Sequence, residues 1–133
     1  MTAEQYLERV KKIDALLNNK VKEYKRWVEA AEGVGGFSVS ERVKSSGNLQ
    51  KMPMAIANYL DIEQEIEALK LERRAIIKNL ERLPPIEYEL LHKSYIQDYT
   101  LYEIADYFGK SYDWAKKKKR TALNLLQEII DEL

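Results

Sequence analysis

Leu83 to Ile130 reads LPPIEYELLHKSYIQDYTLYEIADYFGKSYDWAKKKKRTALNLLQEII. Pro84 and Pro85 break whatever precedes it. Ile86, Leu90, Leu91 and Tyr95 then give one face of a short amphipathic helix. Thr100 and Glu103 form a capping box at the start of another: the hydroxyl accepts from the Glu103 amide and the carboxylate reaches back. Leu101, Ile104, Ala105 and Phe108 make its apolar face. Gly109 stands where a helix end wants a left-handed residue. Lys110 follows. Ser111 caps the next helix, with Asp113 well placed in its first turn. Ala115, Ala122, Leu123, Leu126, Ile129 and Ile130 carry that helix to its end.

The spacing decides the fold. Two helices joined by a turn this short cross steeply and approach closely. Ala105 and Ala115 put small side chains on either side of Gly109, where the crossing needs them. Two caps, a left-handed glycine, a small-residue crossing and an upstream helix together predict a helix-turn-helix. Its charge is uneven. Lys110, Lys116, Lys117, Lys118, Lys119 and Arg120 lie on the second helix and its turn, with Asp113 the only acid among them. Leu101 to Phe108 carries only Glu103 and Asp106. A run such as KKKKR is usually a solvated helix face. On the second helix of a helix-turn-helix it points to duplex DNA. Residues near the helix start reach base edges and cations further along touch phosphate. The predicted DNA-binding set is Thr100, Lys110, Ser111, Tyr112, Asp113, Trp114, Lys116, Lys117, Lys118, Lys119 and Arg120. Tyr112, Asp113, Lys116, Lys117 and Arg120 are expected to face the groove, and Trp114 to stack on backbone sugar or pack on the preceding helix.

Upstream, the pattern is helical on a longer scale. Tyr6, Val10, Ile13, Leu17, Tyr24, Trp27 and Ala31 recur three and four apart, with Lys20 interrupting, over Ala3 to Glu32. Thr2 and Gln5 form a plausible capping box. After Pro53, Ile56, Tyr59, Ile62, Ile66, Leu69, Ile76, Leu80 and Leu83 repeat the stripe, with Arg73 interrupting. Each helix spans about 45 Å at 1.5 Å per residue. Equal lengths predict an antiparallel, coiled-coil-like hairpin, or pairing of the same stripes between chains. Between them, Gly33 to Pro53 contains four of the five glycines. It carries Arg42, Lys44 and Lys51 against Glu41. It reads as a mobile hairpin tip or a binding loop, with Phe37 and Val39 available as anchors.

Composition narrows the function. The 133 residues include 33% charged and 45% hydrophobic ones, the mixture of amphipathic helices on a soluble protein. No apolar run approaches the roughly 20 residues that span a bilayer, and the N-terminus lacks a signal-peptide pattern. This fits a cytosolic protein. There is no cysteine, hence no disulfide framework and no thiolate metal site. The formal net charge is zero, so nucleic-acid binding must rest on local charge. The single histidine, His92, reads as a surface or half-buried helix residue. Tyr88, Tyr95, Tyr99, Tyr102, Tyr107 and Tyr112 read as core and rim. No catalytic constellation, cofactor site, small-molecule substrate or metal site is evident, and an enzyme is the least expected class.

The C-terminal stretch resembles region 4 of bacterial sigma factors: LPP opens its first helix, EIA stands at Glu103 to Ala105, and Ala122-Leu123 closes the recognition helix. The whole chain, including VKSSGNLQKM at Val43 to Met52, resembles the RinA/ArpU-like phage transcriptional regulators and a related streptococcal-prophage family. This resemblance implies control of late phage genes through DNA upstream of a promoter. The chain departs from the pattern at Lys118 or Lys119, where the recognition helix usually carries a large apolar residue, and at Lys110. Lysine stems can cover apolar surface while the amine reaches water.

The expected architecture is all-α: a helical hairpin over residues 1–82, with a flexible loop at about 33–53, then a sigma-region-4-like helix-turn-helix over 83–133. The expected role is sequence-specific DNA binding in transcription regulation, with homodimerisation supplying specificity. The competing roles are a small-terminase-like DNA-packaging recognition subunit and an RNA-polymerase-binding adaptor.

Overall fold

A computed structural model describes the backbone of residues 1–32 and 46–133 and the side chains of residues 1–31 and 56–133. The described residues form helices and no strand. They are α1 (Ala3–Glu32), α2 (Ser46–Leu80), α3 (Pro85–Leu91) with a π-helical turn at His92–Ile96, α4 (Leu101–Phe108) and α5 (Tyr112–Asp131). None of them is long and apolar enough to cross a membrane.

Helix α1 starts at the capping box read from Thr2 and Gln5. The Gln5 amide donates to Thr2 Oγ1 at 3.1 Å and the Thr2 amide to Gln5 Oε1 at 3.0 Å. Helix α2 begins earlier than the sequence pattern predicts. It runs through Pro53, so the expected loop is helical from Ser46 onward. Leu49, Gln50, Lys51 and Met52 are good helix formers, and a proline already has a helical φ; one missing N–H does not outweigh them here. Residues 33–45, with Phe37, Val39, Arg42 and Lys44, lie outside the described residues.

The chain packs as two compact units: Met1–Asp14 with Leu71–Leu133, and Ala15–Lys70. These units cut both long helices rather than dividing the chain at residue 82. The reason lies in the first unit's core. Leu7, Val10, Ile13, Leu80, Leu90, Leu91, Ile104 and Leu126 are its largest fully buried side chains, and they come from all five helices. A three-helix helix-turn-helix alone is too small to enclose that much apolar surface. The start of α1 also docks on α5: the Ala3 amide donates to Gln127 Oε1 at 2.7 Å, and Gln127 Nε2 donates to the Met1 carbonyl at 3.1 Å. Leu7, absent from the predicted stripe, is fully buried, whereas Tyr6 is half-buried and accepts from Asn79 Nδ2 at 2.8 Å. Ile86, predicted to face inward, is 45% exposed.

In each unit the α1 and α2 segments pair antiparallel within one chain. In the first, Arg9 makes a two-pronged pair with Glu72 at 2.8 and 3.0 Å, and Arg73 pairs with Asp14 at 2.7 Å. In the second, Lys20 pairs with Glu65 at 2.6 Å, and the Tyr24 and Tyr59 rings meet edge to face at 5.9 Å. The two residues that interrupt the apolar stripes, Lys20 and Arg73, are thus both cross-helix ion-pair donors. At surface exposure such pairs add little stability and chiefly favour this register.

Candidate nucleic-acid interface

The helix-turn-helix is built by local chemistry at three points. At the first, the Glu103 amide donates to Thr100 Oγ1 at 3.2 Å and the Thr100 amide donates to Glu103 Oε1 at 3.1 Å, the reciprocal capping box. At the second, Gly109 adopts φ 65°, ψ 36°. Its amide donates to the Asp106 carbonyl at 3.1 Å and the Lys110 amide to the Ala105 carbonyl at 2.9 Å. This pair of bonds is the Schellman closure, which turns the chain sharply. A Cβ at Gly109 would meet nothing within 4 Å, so the left-handed backbone, not space, calls for glycine. At the third, the Trp114 amide donates to Ser111 Oγ at 3.1 Å. Ala105 and Ala115, 4% and 0% exposed, meet the close-crossing requirement predicted for them.

The entry to α4 contains a feature that no residue pattern announces. The Gln97 amide donates to the His92 carbonyl at 3.1 Å, a π-type bond that widens the helix end. Asp98 then takes φ 58°, the only described non-glycine residue with positive φ. His92 is half-buried, its ring 5.6 Å from that of Tyr88. Burial, and then the charge of Arg73, push its pKa down.

The predicted DNA-binding residues separate into two groups. Lys110, Ser111, Tyr112, Asp113, Lys116, Lys117 and Arg120 are exposed on α5 and the turn before it, and Thr100 is exposed at the start of α4. Tyr112, Lys116 and Arg120, spaced by four, form one stripe. Lys117 pairs with Asp113 at 3.0 Å in the open. The hydroxyls of Thr100 and Ser111 are engaged as caps.

Trp114, Lys118 and Lys119 do not share that open face. The Trp114 ring lies 5.5 Å from that of Phe108, which selects packing on the preceding helix over sugar stacking. Lys118 Nζ reaches Glu87 Oε1 at 2.7 Å, and the Glu87 side chain is only 9% exposed. The Lys118 hydrogen bond holds the Glu87 carboxyl below the usual carboxylate range, against the opposing effect of burial. Lys119 Nζ sits 5.0 Å over the Tyr95 ring. Burial, assisted by the charges of Glu4 and Glu8, pushes the Tyr95 phenol up to about 12. Lys118 and Lys119, between which the resemblance leaves the usual apolar position open, are both half-buried and each has its amine on a defined partner.

Three residues outside the predicted set shape this region. Glu87 stands three and four residues before Leu90 and Leu91, a spacing that puts all three on one helix face and turns Glu87 inward. Lys93, 8% exposed, lies 3.9 Å over the Tyr107 ring, whose hydroxyl donates to Glu89 at 3.2 Å. Tyr102 stacks on Tyr112 at 4.4 Å.

No curated protein and no solved structure shows significant similarity to the chain. Residues 79–128 match the family model of sigma-70, region 4, a span that takes in α3, both caps, the turn and the basic face of α5, and this part of the chain is a sigma-region-4-like helix-turn-helix of the DNA-binding kind.

Proposed function

We propose that the protein is a sequence-specific DNA-binding transcription regulator, acting by binding rather than catalysis. The observation that carries this is the open face of α5. Lys110, Lys116, Lys117 and Arg120 stand exposed just past the capped turn, on the element that enters the major groove in helix-turn-helix proteins. The resemblance of the whole chain to RinA/ArpU-like regulators supports a phage or prophage setting, with late genes as targets and the bacterial cytoplasm and nucleoid as the place of action. Likeness to a segment of sigma factors makes RNA polymerase a candidate second partner.

Four exposed cations imply about four phosphate contacts. Duplex affinity is then expected to fall with a log–log salt slope of roughly −3 to −4. Fluorescence anisotropy with a random-sequence duplex and with DNA upstream of the gene, at several salt concentrations, measures it. A flat salt response, or no binding at low salt, removes the DNA reading.

Homodimerisation belongs to the same proposal. Among the described side chains of the unit Ala15–Lys70 the buried hydrophobic residues are Ala31, Ile66 and Leu69, while Leu16, Val21, Ile56 and Leu60 are more than a third exposed. A second copy would cover those four exposed apolar residues, which is the gain that dimerisation offers here. Sedimentation equilibrium is expected to return two chains per particle. A monomer at micromolar concentration contradicts dimerisation, and a large ring favours a packaging subunit.

A further inference from the structure

We propose that Tyr102 and Tyr112 form a thymine-reading platform, on which the C5-methyl groups of thymine bases in the major groove are packed. This inference rests on the DNA-binding reading above. The two rings come from different helices and are the second residue of α4 and the first of α5. They stack at 4.4 Å with planes 25° apart. Yet they bury little: Tyr102 is 68% exposed and Tyr112 40%. Other tyrosines here are tied down. Tyr95 is buried, Tyr107 donates to Glu89, and Tyr6 accepts from Asn79. Among the described residues neither Tyr102 nor Tyr112 has a hydroxyl partner, so the stacked pair is presented outward.

Its surroundings identify the occupant. Tyr112 heads the stripe that continues through Lys116 and Arg120, and Lys110 lies two residues before it. An exposed apolar ring face beside a helix stripe of cations, with Asp106 and Asp113 as the neighbouring acids, does not suit an apolar protein surface. It suits a polyanion that carries an apolar feature of its own. Duplex DNA presents one such feature in the major groove, the methyl of thymine. A residue in the first turn of a recognition helix is also the one that reaches base edges. A phenol hydroxyl can donate to phosphate, but the ring face cannot, so what the face contributes lies in sequence preference. Stacking fixes both rings before DNA arrives, which lowers the ordering cost of using them.

The bland alternative is that the rings only shield each other and brace the turn. Thymidine and deoxyuridine separate the two, because they differ by the methyl alone. A duplex selected by the full-length protein from a random pool is prepared with thymidine and again with deoxyuridine. Wild-type protein is expected to bind the deoxyuridine duplex about three- to fivefold more weakly for each methyl buried. Tyr112→Ala and Tyr102→Ala are expected to bind both duplexes equally, with the salt slope retained. Tyr112→Phe is expected to keep the discrimination. Equal binding of the two duplexes by wild type, alongside a steep salt slope, overturns the platform and leaves the DNA reading standing. Discrimination that survives in both alanine variants overturns it as well. Failure of both duplexes to bind at low salt removes the DNA reading, and the platform with it.

Discussion

Replacing Lys116 and Lys117 together by glutamate lowers duplex affinity about fiftyfold or more near 0.1 M salt. Each phosphate contact contributes about 0.9 to the log–log salt slope, so losing two of them at that concentration removes close to two decades of binding. The introduced carboxylates add repulsion to that loss. The slope itself should become shallower by about two. Both side chains are exposed and neither packs in the core, so the thermal transition should move little. The one local cost is at Lys117, whose partner Asp113 would face a like charge one turn away, worth a few tenths of a kcal/mol. The matched control is Lys22→Glu with Lys25→Glu on α1, which makes the same change in net charge at exposed positions of the other unit. Loss of binding in the α5 variant but not in the control locates the contact. Equal loss in both reduces the effect to net charge and removes α5 as the DNA-binding face.

The helix-turn-helix is legible in the sequence because short-range rules build it. Thr100 with Glu103, Gly109 in the left-handed region, Ser111 with Trp114, and Ala105 opposite Ala115 act over a few residues, and each leaves a recognisable residue type at a fixed offset. The long helices are legible in existence but less so in detail. Period alone places Tyr6 on the seam, whereas Leu7 is the buried residue; the docking of the α1 start on Gln127 selects between those faces, and it is a contact across nearly the whole chain. Pro53 hides the first turns of α2, since a local breaker masks the helix formers before it. The division of packing is not legible either, because it follows from a core assembled by all five helices. At the site the split within the KKKKR run can be read only in part. Departure from the usual apolar residue marks Lys118 or Lys119 as unusual without saying which. That one amine meets a buried carboxylate and the other an aromatic ring depends on the tertiary packing of distant segments.

That buried carboxylate gives the second large effect. Lys118→Ile puts an apolar residue at one of the two positions, 118 or 119, where the resemblance leads one to expect it, yet it is expected to destabilise the fold by about 2 to 4 kcal/mol at pH 7. It leaves Glu87 charged and unpaired in a site where its side chain is 9% exposed. Adding Glu87→Leu should recover the loss and equal or exceed wild-type stability, because an apolar pair avoids desolvating two charges. A harmful single change that a second change reverses defines a coupling that a double-mutant cycle measures by chemical denaturation. The pH response gives an independent check on sign. In the wild type, Lys118 depresses the folded-state pKa of Glu87, so the pair's contribution is present above the ordinary carboxylate pKa and disappears as pH falls through the lower folded value. In Lys118→Ile both the hydrogen bond and the charge of Lys118 are gone, and burial is opposed only by the weaker backbone hydrogen bond at Glu87 itself. Its pKa then rises, and the deficit relative to wild type should shrink on acidification as the carboxyl takes up a proton. The double variant has no such group and should lack that part of the acid sensitivity. Because Lys118 points at Glu87 rather than outward, the double variant should also keep the wild-type salt slope in DNA binding. A single variant within about 0.5 kcal/mol of wild type at neutral pH would show that Glu87 finds water or another partner when Lys118 is removed, and the ion pair would lose its place as the tie between α3 and the recognition helix.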